Sequence, residues 1–319
     1  MLISVFPKGF LREMIVDRTM TVFDWITTAR QLPPVDGLEL HADFFWQTDD
    51  GYLDRVGDTL AAAGFVMPMV CVSPDFVNPD PEIRKRELDR EIDMIRIAGR
   101  IGTDNATVRV LSGMARPEVP LEQGLDWASE AILSLIPIAK EHGVTLALEN
   151  HYKASTWEYP EFAQRREVYL ELLSRIDERA AFGVQFDPSN AITAGLDSAK
   201  FLEEVIDRVV SMQASDRFLS DGATLDELRL ADGTIGYSPA LQHGVIGRGL
   251  NDYPRIFRTL VNAGYDGWIS IEDGVNGMSE MADSIDFLTD ARDRYFGGSR
   301  ANRIATLERA RTAAAPVAR

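Results

Sequence analysis

The sequence predicts an α/β protein folded as a closed (β/α)8 barrel of parallel strands, with a long loop after the seventh strand and a C-terminal helical extension. Eight short apolar runs alternate in order with segments of helical periodicity. The first turn, Pro7-Lys8-Gly9, lacks the glycine fingerprint of a dinucleotide-binding sheet, and such sheets usually carry about five or six strands. The later runs end in polar side chains: 143–151 in Glu149, Asn150 and His151, 182–190 in Asp187 and Asn190, 209–216 in Gln213 and Asp216, and 268–273 in Glu272 and Asp273. Strands buried on both faces read as unbroken apolar runs, so charged groups at four successive ends imply a shared site.

Taken in order, residues 2–6 fit a first strand and 23–29 its helix. Residues 37–41 form the second strand, ending in His41, before a helix over 52–63 that Gly64 closes. The third strand lies in 65–72, and Asp80-Pro81 opens its helix as an N-cap residue followed by the proline tolerated at the first helical position. Leu88, Ile92, Ile95 and Gly99 make one face of that helix. Residues 106–111 and 121–142 give the fourth unit, with Pro137 expected to kink the helix or mark its restart. The fifth pairs 143–151 with Tyr169, Leu172, Leu173 and Ile176, and the sixth pairs 182–187 with 201–206. The seventh strand is 209–214, but its helix begins only near Asn251-Asp252. The eighth unit is 268–271 with Met281, Ile285 and Leu288.

More than thirty residues separate Arg217 from Leu250, against about 2–6 in an ordinary strand-to-helix loop. That length predicts a lid over the barrel mouth, and the spacing of Thr224 and Glu227 predicts a capping box within it. The barrel is assigned to 1–296, and the Ala- and Arg-rich stretch 297–319 to a helix docking on another subunit or a frayed tail.

Composition excludes several functions. A net charge of −17 argues against nucleic acid, whose binding draws on Lys and Arg at phosphates. Cys71 is the only cysteine, so one chain forms neither a disulfide nor a thiolate metal site, as befits a reducing cytoplasm. No secretory signal is expected, since Lys8-Gly9 follows only a short apolar run, and no stretch reaches the ~20 apolar residues of a membrane span. A cytoplasmic enzyme of small molecules is expected.

In a barrel the strand ends meet on one rim, which brings Glu149, Asp187, Gln213 and Glu272 together. Four oxygen donors suit a hard divalent cation, favouring Mn2+, with Mg2+ as the other candidate, over Zn2+; no nucleotide cofactor is expected. His151 lies two residues past Glu149 on the same face of the strand. It is therefore the proton-transfer candidate, ahead of His41 and His243. Trp46, Lys153, Asn190, Asp216 and Arg217 are the expected substrate contacts, with Tyr152 and Trp157 beside Lys153. Gly247-Arg248-Gly249 offers backbone N–H groups to an anion.

The segments LENHYK, FDPSN, MQASD, HGVIGRGLNDYPRIF and GYDGWISIEDG resemble the sugar-isomerase/epimerase superfamily of xylose-isomerase-like TIM barrels over most of residues 1–295. The resemblance implies a divalent metal on Glu, Asp, His and Glu, with Gln213 replacing the histidine and Asn190 standing where many epimerases carry another. More narrowly, ENHYK, DPSN, ASDR, ATLDELRLADGTIGYSP and ISIEDGVNGM resemble the large subunit of bacterial C-glycoside deglycosidases. Those enzymes act on 3-oxo-C-glycosides, usually beside a small second subunit, so this likeness implies a hetero-oligomer and a lyase. It would assign the carbon 2 proton to Glu149 or Glu272 and aglycone proton transfer to His151.

Epimerisation or isomerisation of a keto-sugar begins with the same enediolate and is the alternative. A two-carboxylate glycosidase needs no metal and does not easily break a C–C bond. A metal-dependent abasic-site endonuclease sits poorly with four histidines and an acidic chain. A catalytically silent, sugar-binding barrel is the reading from another class.

Overall fold

The computed structural model describes all residues except 155–156, 221, 226, 228–239 and 298–319. Its central sheet is parallel and runs β2-β1-β11-β8-β7-β6-β5-β4-β3. The strands are β1 (Leu2–Val5), β2 (Gly37–Leu38), β3 (Leu40–His41), β4 (Met69–Cys71), β5 (Thr107–Val110), β6 (Thr145–Glu149), β7 (Phe182–Phe186), β8 (Val209–Ala214) and β11 (Trp268–Ile271). The two ends of that order, β2 and β3, are halves of one strand divided at Glu39. β2 pairs with β1 and β3 with β4, so the division closes the ring. The result is the predicted eight-stranded barrel.

Close approach requires glycine at Gly37, where a Cβ would stand 2.7 Å from the Val66 carbonyl oxygen. Each run folds as a strand because its apolar side chains are buried on both faces, as the burial of β1, β5 and β7 illustrates.

The outer layer holds α1 (Val22–Ala29), α2 (Asp50–Ala63), α3 (Pro81–Ile101), α4 (Leu121–Glu141), α5 (Arg166–Ser174), α6 (Pro188–Thr193), α7 (Ser198–Val205), α8 (Tyr253–Asn262) and α9 (Met278–Tyr295). Their starts follow local chemistry. Asp80 caps α3 through the Glu82 N–H, with Pro81 in the first turn, and Asp252 caps α8 through the Arg255 N–H. A Thr21–Asp24 capping box opens α1, a start the periodicity placed one residue late. Pro137 lies inside the single helix α4, so the expected restart is absent.

Val56, Ile95, Ile132, Leu172, Leu202, Ile256 and Ile285, from seven of these helices, are buried in the core around the sheet. The barrel interior is more polar than usual: Ser4, Glu39, Cys71, Arg109, Gln185, Gln213 and Ser270 are all buried in its strands or, for Glu39, at the break between two of them. A barrel held by packing alone would place branched aliphatic side chains there.

After β8 the chain forms an antiparallel hairpin of β9 (Asp216–Leu219) and β10 (Leu241–Gly244), which the apolar pattern did not foretell. Thr224 and Glu227 do form the predicted capping box, each backbone N–H bonding the other side chain. Part of the expected lid (221, 226 and 228–239) and nearly all of the expected C-terminal extension lie outside the described residues.

Candidate active site at the barrel mouth

A cavity of about 490 Å3 opens beyond the carboxyl ends of the strands. Lys8, His41, Arg109, His151, Lys153, Asp187, Asn190, Arg217, His243 and Glu272 supply polar groups to its walls, while Phe6, Leu11, Ile15 and Val16 form an apolar side.

The carboxylates of Glu149, Asp187 and Glu272 lie close enough to influence one another, and protein cations hold two of them. Arg109 donates to Glu149 Oε2 at 2.8 Å and Asn190 Nδ2 to Oε1 at 2.8 Å. Arg109 is itself fixed by the Val72 carbonyl and the Ser73 hydroxyl. Lys8 Nζ donates to Glu272 Oε1 at 2.9 Å. Asp187 Oδ1 accepts the Asn190 N–H and the Ser215 hydroxyl.

Burial sets the charges at these groups, and the neighbours then divide them. Glu149 is raised well above the carboxylate range by burial and by Glu272 and Asp187, against the pull of Arg109. Asp187 is pushed up to about 7 by burial and the Glu272 charge. Burial also opposes ionisation of Glu272, but Lys8 outweighs it and leaves Glu272 lowered. The rim therefore holds one firmly ionised carboxylate and two that keep their protons more readily.

Gln213 lies deeper. Its amide nitrogen donates to Glu39 and, at 3.3 Å, to Cys71 Sγ, while Cys71 donates to Glu39 at 2.8 Å. Its Oε1 is buried without a hydrogen-bond partner. By donor chemistry Glu149, Asp187, Gln213 and Glu272 fit a hard divalent ion, and this orphaned oxygen is where such a set has a lone pair to give. Yet among the described residues no three His, Cys, Asp or Glu side chains are grouped to hold an ion. An incoming ion would compete with Lys8 and Arg109 for the same oxygens.

His151 lines the cavity with Nδ1 3.8 Å from Glu161 Oε2. The other Glu161 oxygen is locked by the backbone N–H and hydroxyl of Ser112. Burial, with help from Arg109 and Lys8, lowers His151 well below its ordinary value, so the imidazole is neutral near pH 7. Burial raises Glu161 to about 8. Trp157 sets its ring edgewise to His151, with centroids 6.2 Å apart.

Sequence reasoning missed Lys8, Arg109 and Glu161. Lys8 sits just past an apolar run, and Arg109 interrupts one, which was the available signal; Glu161 lies in a loop and carried none.

Three expectations are corrected. Trp46 is absent from the cavity wall; Arg18 lies over its ring at 5.7 Å instead. Asp216 is no substrate ligand: its carboxylate accepts the backbone N–H groups of Arg217, Gly247, Gly249 and Asn251, which saturate it. Those same bonds correct the reading of Gly247-Arg248-Gly249, whose N–H groups grip Asp216 rather than an external anion. Glu149 does not line the cavity, both of its oxygens being engaged, whereas Glu272, Asn190, Lys153 and Arg217 do.

Fold and site together define a (β/α)8 protein whose buried acid and base groups sit at the carboxyl rim, where barrel enzymes carry their chemistry. Residues 27–291 match the family described as the xylose isomerase-like TIM barrel, and the chain belongs to that family. No curated protein sequence matches it. Among solved structures it is similar to a D-tagatose 3-epimerase-like protein, with 17% identity over 93% of this chain and 99% of that one and a TM-score of 0.72. The 3-keto-D-glucoside 4-epimerase of E. coli shares 14% identity over 92% and 99%, with a TM-score of 0.64. The IOLI protein, solved with a bound zinc atom, shares 14% over 93% and 100%, with a TM-score of 0.69. At these identities the likeness is one of fold.

Proposed function

We propose that this protein removes the proton beside a ketone in a keto-sugar or 3-oxo-glycoside, and that epimerisation or isomerisation follows. One observation carries the reading: a neutral, buried imidazole, His151, shares a cavity with the cations Lys8 and Arg109. A base and positive charge are what enolisation needs, since deprotonation places negative charge on the carbonyl oxygen. The sugar-handling names of two structural relatives agree with it.

In this reading His151 takes the carbon-bound proton, and Glu161 orients the ring through Nδ1. Glu149 and Glu272 hold Arg109 and Lys8 in place. Asn190 and Lys153, both on the wall, bind hydroxyl groups. Glu149, Asp187, Gln213 and Glu272 would hold a divalent ion, Mn2+ by preference, which when bound adds Lewis-acid stabilisation of the enediolate.

A second reading, elimination of the aglycone from a 3-oxo-C-glycoside, is favoured by the apolar wall of Phe6, Leu11, Ile15 and Val16. A free sugar has little use for such a wall, whereas a phenolic aglycone would cover it. In this form the protein is the large subunit of a hetero-oligomer, and a small partner subunit completes the site.

The test is a mass-spectrometric time course of the Mn2+-supplemented protein with a 3-oxo-C-glucoside. A new isomer of unchanged mass supports the first reading, and free aglycone supports the second. An unchanged substrate, with and without a second subunit, contradicts both.

A further inference from the structure

His41 brings to the cavity a hydrogen-bond donor that the protein does not use. The residue ends β3 and lines the cavity, its ring 5.7 Å from that of Phe44 between centroids. Its Nδ1 accepts the backbone N–H of Asp43 at 3.1 Å. A ring nitrogen that accepts must carry a lone pair, so the imidazole is neutral and its proton sits on Nε2. The Asp43 carboxylate does not compete for Nδ1: Oδ2 stands 3.4 Å away without a hydrogen bond to it, and Arg90 holds Oδ1 at 2.6 Å. Among the described residues Nε2 meets no protein acceptor, and it is not sealed in the interior. The neighbouring cations are differently placed. Lys8 is bound to Glu272, and each guanidinium nitrogen of Arg109 already donates, to Val72, Ser73 or Glu149. In the ring order β3 and β6 are separated by β4 and β5, so His41 and His151 reach the cavity from different sectors of the mouth.

We infer that the Nε2–H of His41 donates to the substrate's carbonyl oxygen and holds the negative charge that forms there when His151 removes the neighbouring proton. The inference rests on the enolisation reading and deepens it, by assigning the oxyanion contact. The carbon–hydrogen bond breaks toward His151, its electron pair becomes the carbon–carbon double bond, and the carbonyl π pair moves onto oxygen. His41 keeps its own proton throughout, so it acts as a donor and not as a second base. The Asp43 N–H fixes the tautomer before the reaction begins. A hydrogen bond set in this way is modest to a ketone and strengthens as the oxygen becomes an anion, which is the differential a catalytic contact needs.

The experiment compares wild type, His41→Asn and His41→Gln, each supplemented with Mn2+, for deuterium wash-in to a 3-oxo-glucoside in deuterated water. Asn can accept the Asp43 N–H in place of Nδ1 but has no donor that reaches the Nε2 position, whereas Gln offers a donor there and loses the cap. The inference expects kcat for wash-in to fall about 100-fold or more in His41→Asn, with KM within about threefold, and His41→Gln to recover at least about tenfold of that loss. A loss below tenfold in His41→Asn overturns it. So does a loss in His41→Gln at least as large as in His41→Asn, since a purely structural cap would favour Asn. Nitrogen NMR of the 15N-labelled wild type at pH 7 decides independently of how well the variants fold: the proton is expected on Nε2 of His41, and a proton on Nδ1 overturns the inference. If wild type itself exchanges no deuterium, the enolisation reading fails and takes this inference with it. Failure of the inference alone is recognised by wild-type exchange that His41→Asn retains.

Discussion

Among single residues, Glu161 makes a claim that pH can check. Its carboxyl is buried and raised to about 8 in the folded chain, against about 4.3 for an exposed glutamate. The folded state therefore binds this proton more tightly than the unfolded state, and its contribution is full below about pH 4.3 and is lost as pH rises toward 8. Inside that window the slope is on the order of 1 kcal/mol per pH unit. Wild type is expected to lose Tm more steeply between pH 5 and 8 than Glu161→Gln, as calorimetry would show; equal slopes would contradict the assignment. Lys8 makes a second claim. Lys8→Met removes the cation bound to Glu272, so Mn2+ affinity by calorimetric titration should rise about tenfold. An unchanged or weaker affinity would mean that the ion and Lys8 do not share that carboxylate.

These two residues also mark what the sequence could convey about the site. Glu149, Asp187, Gln213 and Glu272 stood out because a polar or charged side chain ending an apolar run has to be accounted for. Lys8 ends such a run too, but a lysine after a first strand looks like any surface cation until Glu272 is seen beside it. Glu161 depends on a loop folding back across Ser112, a contact with no local period to betray it.

For elements, the order of strands and helices was legible because burial on two faces and on one face leave different periods. The hairpin of β9 and β10 was not. The hairpin is held by a contact beyond its own ladder, the Asp216 carboxylate at the start of β9 gathering N–H groups from the turn before α8. A Cβ at Gly249 would stand 2.3 Å from the Arg217 carbonyl oxygen, which shows how closely this turn wraps the hairpin. Asp216→Ala should leave those buried N–H groups unsatisfied and cost about 2–4 kcal/mol in a denaturant titration. It should also lower turnover, because Arg217 and His243 reach the cavity from this hairpin. A variant as stable as wild type would remove the clamp. The division of the second strand at Glu39 was equally invisible, since it serves ring closure rather than any local preference.

For the whole molecule, the acidic surface and the cationic cavity wall are one arrangement. A chain of net charge −17 repels polyanions at long range, yet Lys8, Arg109 and Arg217 line the mouth, where charge develops during enolisation. No helix among the described residues is long and apolar enough to cross a membrane. The central claim is that the barrel mouth is an enolising site in which His151 is the base. NMR of a 3-oxo-glucoside in deuterated water tests it most directly, by the rate at which signal is lost beside the ketone. Wild type should exchange that hydrogen, and His151→Asn should do so about 10²–10⁴-fold more slowly. Equal rates in the two proteins, or none in wild type, would contradict the account.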